Sequence, residues 1–115
     1  MDLLQKVKLI LAVVQTKITS TGYHLLDRPE NLETITALNF SHADIKKVLL
    51  ELKPEDYYQG PLPDEMGNGL DMWVFGKVIK GLEIYIKFTM GRDKERVLLI
   101  SFHKAKKRIK FPFRV

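Results

Sequence analysis

Between Asp71 and His103 three runs of aromatic, β-branched and aliphatic residues follow one another with only short breaks, which commits the second half of the chain to a meander of strands. Asp71 to Ile79 and Leu82 to Met90 are separated by Lys80-Gly81, a hairpin turn with glycine available for a positive φ. Gly91-Arg92-Asp93-Lys94 turns the chain again, into Arg96 to His103. Within that run Val97-Leu98-Leu99-Ile100 shows no alternation, the pattern of a central strand covered on both faces. Arg108 to Phe113 reads as a last edge strand, the position to which Pro112 restricts it.

The first half reads as helices. Leu3, Val7, Ile10, Leu11 and Val14 form an apolar stripe at helical spacing, and Thr16 to Tyr23, β-branched and polar with Gly22, reads as a connection. Asp27 and Glu30 are spaced as a capping box with Pro29 in the first turn, which predicts a short helix facing inward through Leu32, Ile35 and Leu38 and stopping at Asn39. Ser41 and Asp44 open a third helix that buries Ile45, Val48, Leu49 and Leu52, and Lys53-Pro54 ends it. Gln59 to Leu70, with three glycines and two prolines, reads as a mobile loop, and Gly67-Asn68-Gly69 within it as a turn. Helices first and strands second predict an α+β fold, N-terminal helices packed on one face of a small antiparallel sheet.

With 115 residues and 45% hydrophobic content, one core is affordable and a single domain over 1–115 is expected. The absence of cysteine excludes disulfides and thiol chemistry and fits a cytoplasmic protein. The apolar stretch Leu3 to Val14, interrupted by Lys6 and Lys8, is far below the roughly 20 residues that cross a bilayer. Charge is polarised: residues 1–60 sum to −1 and residues 61–115 to +6. The last thirteen residues contain Lys104, Lys106, Lys107, Arg108, Lys110 and Arg114 and no carboxylate, a composition that attracts polyanions such as RNA.

Along Leu82 to Met90, Leu82, Ile84, Ile86 and Phe88 share one face and Glu83, Tyr85, Lys87 and Thr89 the other. A bulged three-residue turn at Gly81 would pair Val78 with Leu82 and set Trp73, Phe75 and Lys77 beside Lys87, Tyr85 and Glu83, an aromatic and basic surface suited to stacking bases and meeting phosphates. A two-residue turn would instead bury Lys77 against Ile84, which the cost of burying a charge disfavours. RNA cleavage without a metal needs one group to deprotonate the 2′-hydroxyl, one to stabilise the phosphorane and one to protonate the leaving oxygen. His103, Lys87 or Lys77, and Tyr85 can fill those roles, although a surface histidine, a solvated lysine face and a minor aromatic core are the plainer readings of the same residues. No His/Asp/Glu set has metal-ligand spacing and no phosphate-binding glycine loop follows a strand, so no cofactor is expected.

The order of Asn31-Leu32-Glu33-Thr34, Ala37-Leu38, the Ile45-to-Leu52 helix, Glu55-Asp56-Tyr57-Tyr58, Trp73, Ile84-Tyr85-Ile86-Lys87 and Ile100-Ser101-Phe102 resembles the MqsR family of toxins from type II toxin–antitoxin systems, over roughly residues 30–104. The resemblance implies a RelE-like fold and a metal-independent, sequence-selective mRNA endoribonuclease, acting on free or ribosome-bound mRNA and held inactive by a cognate antitoxin. It implies catalytic roles for Tyr85 and Lys87, and for His103 where the family has a lysine. Gln59 stands where the family has a lysine and Val74 where it has a glutamine, so Lys77 and His103 are candidates to take over their work. Trp73, Phe75, Gln59, Lys104, Lys106, Lys107 and Arg108 are the candidate RNA contacts. Two other classes compete: a non-catalytic RNA-binding module using the same face, and an interaction protein docking a partner on exposed Trp73 and Phe75.

Overall fold

The computed structural model describes residues 1–64, 70–91 and 95–114. Helix α1 (Leu3–Thr21) is followed by strand β1 (Tyr23–Leu25), helices α2 (Pro29–Leu38) and α3 (His42–Glu51), a 3-10 turn (Pro54–Asp56), and strands β2 (Tyr57–Leu62), β3 (Met72–Ile79), β4 (Leu82–Thr89) and β5 (Val97–Lys104). The five strands form one sheet in the order β1-β5-β4-β3-β2. The α+β arrangement is as expected; β2, β3, β4 and β5 pair antiparallel, and β1 adds a parallel edge to β5. No helix among the described residues is long and apolar enough to cross a membrane.

Helix α1 buries Val7, Leu11, Val14 and Ile18, a stripe that runs a turn beyond the predicted one, while Leu3 at its start is exposed and Ile10 half-buried. Each buried side chain of the stripe contributes roughly 1.5–3 kcal/mol on leaving water. The segment from Thr16 is therefore helix and not connection. Its threonines remain compatible because the hydroxyls of Thr16, Thr19 and Thr21 donate back to the carbonyls of Ala12, Gln15 and Lys17. The N-terminus is closed by a capping box between Asp2 and Gln5.

Helix α2 departs from expectation on its inner face. Its N-cap is Arg28, without a side-chain cap, so Asp27 does not begin a capping box, and Leu32 is exposed while Asn31 and Thr34 are buried. The reason is what α2 covers. Beyond Leu99, strand β5 has outrun β1, and its open edge meets α2. Asn31 takes the place of a strand there: Nδ2 donates to the Ile100 carbonyl at 3.0 Å, and Oδ1 accepts from the Phe102 amide at 2.9 Å. Thr34 Oγ1 accepts from the Lys104 amide at 2.9 Å. Polar residues are buried because sheet-edge backbone must be paired. The Asn39 stop and the Ser41/Asp44 capping box form as read from the sequence, Asn39 in the left-handed region at φ 54.

The β3–β4 turn decides the sheet. Lys80 (φ 50) and Gly81 (φ 80) form a two-residue turn, Ile79 pairs with Leu82, and Lys77 pairs with Ile84. The expected three-residue turn is corrected, and with it the placement of Trp73, Phe75 and Lys77. Lys80 holds the turn by donating to the Leu38 carbonyl at the end of α2 (2.7 Å) and lying over the Phe40 ring. Trp73 and Phe75 consequently point into the core with Ile84, Ile86, Phe88, Leu99 and Phe102. Lys77 goes with them but is only half-buried, its side chain 29% exposed, and its charge is met by buried Asp56, whose Oδ2 lies 3.1 Å from Lys77 Nζ and whose Oδ1 takes Arg114 at 3.0 Å.

Two further readings are revised, and the central position of β5 stands with one detail added. Gln59 to Leu70 is not wholly loop, since β2 runs to Leu62, and Gly67-Asn68-Gly69 lies outside the described residues, as does the Arg92-to-Lys94 turn. The unalternating run in β5 hides a bulge: Lys87 pairs with Ser101 and Phe88 with Leu99, leaving Ile100 unpaired. Residues 105–114 are not an edge strand. They form a strap that crosses the outer face with Ile109 and Phe111 over Gly76 and ends with Phe113 against the core side chain Tyr57.

Candidate active site

With the inner face filled, the outer face of β4 and β5 presents Tyr85 opposite His103 and Lys87 opposite Ser101. These four line a cavity of about 380 Å³ together with Tyr58 and Gln59 of β2, Arg28 and Glu30 at the start of α2, and Lys106, Lys107 and Ile109 of the strap. The site is thus built on paired central strands, which hold side chains more rigidly than loops do, and is walled by two less regular segments. Its charge is lopsided: Arg28, Lys87, Lys106 and Lys107 stand against Glu30 alone among the lining residues.

The Tyr85 and His103 rings are stacked, with centroids 5.3 Å apart and planes 18° from parallel, and Tyr58 meets Tyr85 edge-on at 6.4 Å. His103 is 9% exposed. Its Nδ1 lies 2.9 Å from the Lys104 carbonyl, and because a carbonyl only accepts, the proton of a neutral ring sits on Nδ1. Nε2 then carries the lone pair. Lys87 forms no ion pair among the described residues, in contrast to Lys77. The arrangement places a base with a defined tautomer, a phenol stacked on it and a cation on one cavity wall. Among the described residues no three His, Asp or Glu side chains converge as metal ligands would.

Of the residues singled out from the sequence, Tyr85, Lys87, His103, Gln59, Lys106 and Lys107 come together here. Lys104 and Arg108 are exposed beside the cavity and do not line it. Trp73 and Phe75 belong to the core, so they offer no stacking surface for bases and no docking surface for a partner. Lys77 is on the inner face, held by Asp56. Arg28, Glu30, Tyr58, Ser101 and Ile109 were not foreseen as site residues. For Tyr58 the signal was present: with Tyr57 buried, strand alternation sends Tyr58 to the outer face.

Tyr57 shows what the inner face does to a similar side chain. Its hydroxyl donates to the Gly60 carbonyl at 2.6 Å, and burial pushes the phenol pKa above its ordinary value.

Residues 6–104 match the family model described as "Motility quorum-sensing regulator, toxin of MqsA". No curated protein and no solved structure gives a match.

Proposed function

The chain belongs to the MqsR toxin family, and we propose from that membership and from the chemistry of the cavity that it is an mRNA endoribonuclease that halts translation and needs no metal. The observation that carries the reading is the stacked Tyr85–His103 pair beside Lys87, in a concavity lined by four cationic side chains and one carboxylate. His103 Nε2 takes the proton of a ribose 2′-hydroxyl, a role for which its Nδ1 bond to the Lys104 carbonyl orients the ring. The 2′-oxygen attacks the adjacent phosphorus, and Lys87 stabilises the extra negative charge of the phosphorane. The bond to the 5′-oxygen breaks, that oxygen takes the Tyr85 proton, and the products are a 2′,3′-cyclic phosphate and a 5′-hydroxyl. Gln59, Lys104, Lys106, Lys107 and Arg108 contribute contacts to the RNA backbone, and a cognate antitoxin, the MqsA of the family description, restrains the activity.

The test is incubation of the purified protein with an mRNA in EDTA, beside His103→Ala and Tyr85→Phe, followed by mapping of 5′ ends. Discrete 5′-hydroxyl ends reduced at least ~10²-fold in both variants are expected, the scale of a lost general acid or base. RNA that stays intact while shifting on a gel would instead favour the non-catalytic binding module.

A further inference from the structure

The family match ends at residue 104, yet Lys106, Lys107 and Ile109 complete the cavity from beyond it. They are carried by the strap, and the strap has a constructed seat. Ala105 donates to the Glu83 carbonyl at 2.8 Å and the Ile109 amide to Glu83 Oε1 at 2.9 Å. Position 76 is a glycine under the strap, where a Cβ would stand 2.6 Å from Ile109 Cδ1 and 3.1 Å from the Phe111 ring. At the far end Arg114 donates to buried Asp56 at 3.0 Å and lies over Phe111, and Phe113 packs on Tyr57 at 5.4 Å. A solvated basic tail would need none of this. Across the cavity mouth, Lys106 Nζ lies 3.9 Å from Glu30 Oε2 with side chains 76% and 45% exposed, so the pair contributes little and yields readily to a competing anion.

We propose that the strap is a substrate clamp. Lys106 and Lys107 hold the RNA phosphates that flank the scissile one, Lys106 exchanges Glu30 for a phosphate as the strand enters, and the seat at Gly76 and Asp56 sets where along the strand these cations stand. The clamp takes the location of the cleavage site from the preceding proposal, but its binding half applies equally to a cavity that holds RNA without cutting it.

The experiment is fluorescence anisotropy of the full chain with a labelled single-stranded oligoribonucleotide, 2′-O-methylated throughout so that it cannot be cut, over a series of KCl concentrations. Each phosphate contact adds about 0.7 to the slope of log affinity against log salt for a single strand, so Lys106→Ala/Lys107→Ala lowers the slope by about 1.4. Glu30→Gln, which frees Lys106, tightens binding. Gly76→Ala unseats the strap while keeping every charge, and Arg114→Ala loosens it from its far end without adding an atom. Both lower the slope in protein whose circular dichroism shows it folded. An unchanged slope in the double lysine variant overturns the clamp. A lowered slope there with wild-type slopes in folded Gly76→Ala and Arg114→Ala overturns the role of the seat. Unmodified RNA left uncut in EDTA, with these slope changes present, overturns the nuclease reading and leaves the clamp standing.

Discussion

Lys77 and Lys87 are carried by adjacent strands, β3 and β4, and belong to opposite faces of the sheet. Lys77 is fixed by Asp56, which also receives Arg114 and the Lys53 amide, so the inner-face charge is spent on structure. Lys87 forms no ion pair among the described residues and lines a cationic cavity beside Tyr85 and His103. Aromatic residues divide the same way. Phe75 stacks on Phe88 inside the core, whereas Tyr85 stacks on His103 at the cavity wall. What separates a structural residue from a chemical one here is a register of one residue in the β3–β4 hairpin, because a slip of one exchanges the faces of a whole strand.

The strongest way to break this division is Phe75→Ala. On the inner face it creates a cavity and costs roughly 3–5 kcal/mol in urea unfolding, with RNA affinity of the folded fraction retained. A stable variant that had lost RNA binding would return Phe75 to the outer face. Asp56→Ala comes next, at roughly 2–3 kcal/mol, since it strands two cations that are partly able to rehydrate. A double-mutant cycle with Lys77→Met sharpens the point, because the penalty for removing Asp56 shrinks once Lys77 no longer needs a partner. Asn31→Ala should cost roughly 2 kcal/mol and speed exchange of the Phe102 amide, as the β5 edge loses its substitute strand.

The smallest effect lies far from both faces. Hydrogen bonds from the Ser41 amide and hydroxyl hold the Asp44 carboxyl below the ordinary aspartate pKa. A depressed native pKa stabilises above the unfolded value and is lost as pH falls through the folded one. Asp44→Asn should therefore be less stable than the parent at neutral pH, and the gap should close in acid. A gap independent of pH would assign the cap's worth to geometry and not to charge.

Much of the fold was legible because helices and strands declare themselves by period: the α1 stripe, the Ser41/Asp44 cap, the Asn39 stop and the three C-terminal strands all stand close to their predicted places. The site was legible in part. Tyr85, Lys87 and His103 alternate onto one face whatever β3 does, and they meet in the cavity. Trp73, Phe75 and Lys77 depended on the turn, and the turn was misread because burying Lys77 seemed too costly. Its counter-charge, Asp56, lies 21 residues earlier, a pairing that local pattern cannot reveal. Asn31 and Thr34 were hidden for a related reason, since a polar residue on the inner face of a helix signals nothing until the strand edge it serves is known. The strap was read as a strand because its apolar residues alternate with basic ones, whereas Ile109 and Phe111 pack across the sheet, over the glycine that makes room for them.

The division between faces is tested most directly by single-turnover cleavage of one RNA by Lys87→Ala and Lys77→Ala, each beside its own unfolding curve. The account predicts that Lys87→Ala keeps the parent's stability and loses about 10²-fold or more in rate, the scale of a lost charge-stabilising group, while Lys77→Ala is less stable and cleaves at nearly the parent rate when folded. A rate that falls with Lys77 and survives the loss of Lys87 would contradict it and move the chemistry to the other face of the sheet.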